Sequence, residues 1–167
     1  WDPFDPLGVG TRHFMSYHKW LLGMLPSENV VTLHDSGEID LHAIEKPAGG
    51  PQMLKIALSD GAYCFVEYRT KTGLDGAELV MNTRINGFKP VDGLLIHYRA
   101  PPHSAELGIL LPYFDRNHPA IVDGSTPFLD SRRSLSIELL DVRDGVALVR
   151  VDRDPPAENQ GCSCSQS

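Results

Sequence analysis

The run Tyr63-Cys64-Phe65-Val66-Glu67-Tyr68-Arg69 narrows the possible folds of this chain more than any other stretch. Its aromatic and β-branched residues favour a strand over a helix. In an extended chain Tyr63, Phe65, Glu67 and Arg69 project to one side, and Cys64, Val66 and Tyr68 to the other. Both sides are largely apolar, so the strand is expected to be covered on two faces. Glu67 and Arg69 stand out on their face. A lone ion taken out of water costs roughly several kcal/mol even after relaxation, so each needs a partner. The candidates are each other and a loop carboxylate such as Asp75; a direct catalytic role is the alternative. Just upstream, Met53 to Leu58 is followed by Ser59-Asp60-Gly61. Two periodic runs joined through Asp-Gly predict a β-hairpin.

The remaining sequence extends this pattern. Short apolar runs recur between Gly, Pro, Asp and Asn, and helix-forming stretches are scarce. The fold class expected is mostly β: an antiparallel β-sandwich of hairpins preceded by one amphipathic α-helix. At 167 residues the chain is one domain, or one domain plus part of another. The net charge of −7 argues against general binding to nucleic acid or anionic membranes. No apolar run is long enough to cross a bilayer as a helix.

The chain opens with Trp1-Asp2-Pro3-Phe4-Asp5-Pro6, which is not a plausible translation start, so a processed product or a fragment is expected. Thr11 can cap a helix running to about Leu22, with Phe14, Tyr17, His18, Leu21 and Leu22 on one face. Gly23 fits its end, and Pro26 follows. His13 and His18 are five residues apart, whereas a zinc pair on a helix wants i, i+4. His18 therefore reads as a packed or capping residue. Val30 to Leu33, the turn Asp35-Ser36-Gly37 and Ile39 to Ile44 read as a first hairpin. Thr70 to Pro90 is the least regular region. Val91 to Tyr98 reads as a strand carrying a bulge or close approach at Gly93. Leu107 to Tyr113 reads as a strand broken at Pro112. Leu135 to Val151 closes the chain as a hairpin turning at Asp144-Gly145. Cys64 reads as a buried thiol. Cys162 and Cys164 lie in a polar tail, where the spacing favours neither a local disulfide nor a metal site.

Catalytic motifs are missing. There is no His-Glu-x-x-His, no Gly-x-Ser-x-Gly, no phosphate loop and no dinucleotide fingerprint. The spacing of the seven histidines matches no zinc site. Asp75 alone falls far short of a calcium site, which needs several oxygen ligands.

Four segments nevertheless carry a resemblance. Asp5-Pro6-Leu7-Gly8 followed by His13-Phe14-Met15-Ser16-Tyr17-His18-Lys19-Trp20-Leu21-Leu22-Gly23-Met24-Leu25 resembles part of the gametolysin-like and immune-inhibitor-A-like zinc metalloproteases. There, an Asp-Pro-Met-Gly-type turn precedes a helix of similar pattern. Val66-Glu67-Tyr68-Arg69 and Gly93-Leu94-Leu95-Ile96-His97 are similar to two strands of the β-region that follows. The likeness covers most of Trp1 to Asp152. It departs at two points: the His-Glu-x-x-His helix is absent, and Leu7 stands where the group has its methionine under the metal, a tolerable volume swap.

The resemblance implies a secreted zinc endopeptidase acting on peptide or protein substrates. Its zinc ligands and Glu base would lie outside this chain, which is then expected to have no catalytic or metal-binding residues of its own and to be inactive alone. It also implies a plan: residues 1–26 as the end of a metalloprotease catalytic domain, 27–154 as a β-sandwich, and 155–167 as a flexible tail or linker. The residues placed near the site are Leu7, Glu67, Arg69, Asp75 and His97; calcium at Asp75 is a separate alternative read from that residue alone, not from the resemblance. The competing expectation is a self-standing β-sandwich that binds carbohydrate or protein without catalysis.

Overall fold

A computed structural model describes residues 14–59, 61–72, 93–99, 111–112 and 126–153. Their order is a helix α1 (Ser16–Leu21), then strands β1 (Val30–Leu33), β2 (Gly37–His42), β3 (Met53–Ala57), β4 (Tyr63–Arg69), β5 (Gly93–Arg99), β6 (Leu111–Pro112), β7 (Phe128–Asp130), β8 (Leu135–Arg143) and β9 (Val146–Arg153). The strands form a five-stranded sheet, β1-β3-β4-β5-β6, and a four-stranded sheet, β2-β9-β8-β7. All pairings between these strands are antiparallel except β1 with β3. The architecture is that of a β-sandwich.

Strand alternation builds the core between the sheets. Leu54 and Ile56 of β3, Cys64, Val66 and Tyr68 of β4, and Leu94 and Ile96 of β5 face inward from one sheet. Leu41 of β2, Leu135, Ile137 and Leu139 of β8, and Ala147, Val149 and Val151 of β9 meet them from the other. Cys64 is buried in this core, as its sequence position implies. The expected hairpin of β3 and β4 forms: the strands pair from Leu54–Val66 to Ala57–Tyr63, and Gly61 takes φ +79°. The closing hairpin also forms. Asp144 and Gly145 both have positive φ, 52° and 79°, the backbone twist that matches two-residue turns to twisted strands. A bulge between Leu139 and Asp141 then shifts the register of β8.

The first expected hairpin does not exist. β1 pairs parallel with β3, whereas β2 pairs antiparallel with β9 in the opposite sheet. The Asp35-Ser36-Gly37 turn is a corner at which the chain changes sheets. Turn residues bend the backbone but do not choose the partner strand. After β2 the chain crosses back, and Ala43 forms an isolated parallel bridge to Tyr68. A buried amide network holds this return. Gln52 Nε2 donates to the carbonyls of Ala43 (2.7 Å) and Lys46 (2.6 Å), and Asn29 Nδ2 donates to Gln52 Oε1 (2.9 Å) and the Ala48 carbonyl (3.0 Å). At another corner Arg133 joins the sheets, donating to Asp130 of β7 (2.8 Å) and to the Tyr98 hydroxyl of β5 (2.7 Å).

The helix also departs from expectation. Its described extent is Ser16–Leu21, with Met15 as N-cap; Thr11 and His13 lie outside the described residues. Met15 and Tyr17 are buried, but Leu21 and Leu22 are 60 % and 56 % exposed. The cause is the stop at Gly23, whose φ of +70° permits a double cap. The Gly23 N–H bonds the Trp20 carbonyl and the Met24 N–H bonds the Lys19 carbonyl, a Schellman arrangement. This turn swings Leu25, rather than Leu21 or Leu22, onto the sheet, where it is 3 % exposed. The described extents of β5 and β6 are Gly93–Arg99 and Leu111–Pro112. Residues 73–92, with Asp75 among them, lie outside the described residues, as do Leu7, Cys162 and Cys164.

Candidate functional site

The outward face of the five-stranded sheet carries the charge. In register, Phe65 stands opposite His97 and Lys55, and Glu67 opposite Leu95. Phe65, Glu67 and Arg69 from β4, Met53 from β3, and Leu95 and His97 from β5 therefore share one face, and all six are buried. This face would meet solvent in an ordinary sandwich. Here α1 lies across part of it. Tyr17 packs on Phe65 with ring centroids 4.8 Å apart, in a cluster that includes Met15, Leu25, Ile44 and Met53. Lys19 Nζ donates to the Ile44 carbonyl, tying the helix to the chain return.

Glu67 lies at the centre of this contact. Its carboxylate accepts from Arg69 Nε at 2.7 Å through one oxygen and from the Ser16 backbone N–H through the other. Glu67 and Arg69 are both 0 % exposed, so this is a fully desolvated ion pair between residues two apart on one strand. Burial alone pushes the Glu67 carboxyl up. The Arg69 guanidinium, His97 and the Ser16 hydrogen bond outweigh that and hold it below the usual carboxylate range. At the end of the strand, Glu45 accepts from the Thr70 N–H (3.0 Å) and hydroxyl (3.2 Å), fixing the chain as it leaves β4.

The structure thus brings together Glu67, Arg69 and His97 of the residues singled out by sequence. Leu7 and Asp75 lie outside the described residues. Pairing of Glu67 with Arg69 follows the expectation. Sequence reading did not anticipate Ser16, whose contribution is a backbone N–H and leaves no trace in residue type. It also passed over Asn29 and Gln52, which sit just before strands and look like ordinary loop polars. His18 is half-buried, its ring tilted against Tyr17 at 5.7 Å.

This chemistry is that of an anchor. A general acid or base must reach the proton it moves, whereas the Glu67 carboxylate is closed off and engaged on both oxygens. Clefts formed by described residues are lined by other side chains. One, of about 380 Å³, lies between His42, Glu45, Lys46, Thr70, Thr72 and Asp144. Among the described residues no group of three or more His, Cys, Asp or Glu side chains converges to hold a metal ion. The zinc implied by the resemblance therefore finds no ligand set among them. Comparison with family models, curated proteins and solved structures returns no match to this chain.

Proposed function

We propose that this chain is the part of a secreted zinc endopeptidase that lies behind the active site: the floor turn, the helix that follows it, and the β-domain supporting both. The zinc and its general base belong, on this reading, to a preceding segment of the same polypeptide, and hydrolysis is that segment's chemistry. This chain's residues position. Glu67, held ionised by Arg69, grips the N-terminal end of α1 through the Ser16 N–H, and Tyr17 on Phe65 fixes the helix against rotation.

One observation carries the reading. Two of the sequence segments that make the resemblance, the helix and the Val-Glu-Tyr-Arg strand, touch through the Glu67 carboxylate. Residues 51 apart that are joined by a buried hydrogen bond to a carboxylate form one mechanical unit. A self-standing binding sandwich has no need of that unit.

The test is the reading frame upstream of Trp1, followed by expression of the whole protein. A His-Glu-x-x-His helix within a few dozen residues, stoichiometric zinc and chelator-sensitive cleavage of a protein substrate are the expected results. An upstream frame without the motif, or tightly bound zinc in the isolated 167-residue chain, overturns the reading.

A further inference from the structure

Two cations on the α1 side of the five-stranded sheet have rings for company and, among the described residues, no carboxylate within 4 Å. Lys55 Nζ lies 4.1 Å from the Tyr63 ring centroid and 5.8 Å from that of Trp20. The Arg99 guanidinium lies 5.5 Å from the Tyr17 ring. All are half-buried except Tyr17, which is buried. Several other arginines are treated differently. Arg69, Arg133, Arg143 and Arg150 each reach a carboxylate within 4 Å. Arg153 also reaches no carboxylate among the described residues, but it donates to the His34 and Ala57 carbonyls; Lys55 and Arg99 have rings in that place.

Their placement is regular. Lys55 is opposite Phe65 on β3, Arg99 is opposite Tyr63 on β5, and β4 runs between them. Two strand spacings across and two residues along put their backbones about 12 Å apart. Tyr63 lies between them. Aromatic rings hold an ammonium or guanidinium in place and strip part of its water while leaving its charge unneutralised. The charge remains available to an incoming anion.

We propose that this platform binds a polyanionic polysaccharide, one carrying carboxylates or sulfates on a pyranose chain. Lys55 and Arg99 take two charges along the chain, and Trp20 and Tyr63 meet the apolar ring faces of the sugars between them. A peptide fits less well. β4 is hydrogen-bonded on both sides, to β3 and β5, so this face offers side chains but no backbone groups for a peptide to pair with. The net charge of −7 works against general polyanion binding, so recognition is confined to this patch and weakens steeply with salt. The proposal stands independently of the peptidase reading.

The test uses the full chain against polygalacturonate for the carboxylate source, heparin for the sulfate source, and dextran as the neutral control, at low and physiological salt. Binding of either polyanion with none to dextran is expected. Lys55→Gln and Arg99→Gln should each weaken it about fivefold, and the pair about 25-fold, given roughly one surface charge contact each. Lys55→Arg should retain binding, and each variant's melting temperature separates lost binding from lost fold. Binding undiminished in the double variant, equal binding of dextran, or tighter binding of poly-glutamate than of both polysaccharides overturns the proposal; the last result would point to an acidic protein partner instead.

Discussion

β4 has two faces, equally buried and built on opposite principles. Inward, Cys64, Val66 and Tyr68 meet apolar side chains from both sheets, and contact is a matter of shape. Outward, Phe65 is followed by Glu67 and Arg69, and contact depends on a matched charge and a backbone N–H from another element. Burial alone therefore says little about how a position behaves. An apolar core tolerates volume-conserving change and loses stability in proportion to what is removed. A desolvated ion pair is nearly indifferent to being replaced whole and unforgiving of being halved.

The contrast is sharpest at Arg69. Arg69→Met leaves the Glu67 carboxylate buried without its cation and should cost about 3–5 kcal/mol in urea melts. An effect below that of a single core methyl would break the distinction between the faces. Adding Glu67→Leu to Arg69→Met should recover most of the loss, ending within about 1–2 kcal/mol of the parent. Simple addition of the two single costs would mean the pair is not a unit.

Acid probes the same contact. The folded carboxyl of Glu67 lies below its ordinary value near 4.5, so its stabilising contribution is fully present above that value. It is lost as pH falls from there through the folded value. Stability measured from pH 7 downward should therefore drop more steeply in the parent than in Glu67→Gln, and parallel curves would remove Glu67 from the account. On the inward face, Ile56→Val should cost about 0.5–1.5 kcal/mol, independent of pH in that range. The smallest effect belongs to the exposed end of the helix. Leu21, 60 % exposed, should tolerate Ala with a change under about 0.5 kcal/mol. A larger loss would show that Leu21 packs against a surface beyond the described residues.

What the sequence discloses and what it withholds divide along the same lines. Alternation placed Leu54, Ile56 and Leu58 on one face of β3 and separated Leu94, Ile96 and Tyr98 from Leu95, His97 and Arg99 on β5, because side-chain period is a local property. The glycine after Asp60 and the pair Asp144-Gly145 announced their hairpins because Gly61, Asp144 and Gly145 take positive φ, which is cheap for glycine and tolerated by Asp. Asp35-Ser36-Gly37 misled because it looks the same whether the chain returns beside itself or steps into another sheet. The helix misled because its 3.6-residue period marks a face, whereas the Gly23 cap decides where the chain goes next. Within the candidate site, the Glu67–Arg69 pair was legible from the cost of isolated charge; Ser16 was not, since every residue but proline carries the N–H it lends.

The pairing of β2 with β9 has a consequence for the order in which the protein is made. Glu38 and Arg150 are hydrogen-bonded across that pair and stand 112 positions apart. During synthesis β2 emerges long before the only described strand it pairs with, while β3 and β4, joined by a tight turn, can close at once. The pairing of β2 in the four-stranded sheet can therefore form only after β9 has been made. Loop closure over such a span is slow and leaves β2 an unpaired template in the meantime. Nascent chains that stop short of β9 should be the ones that aggregate or call on chaperones.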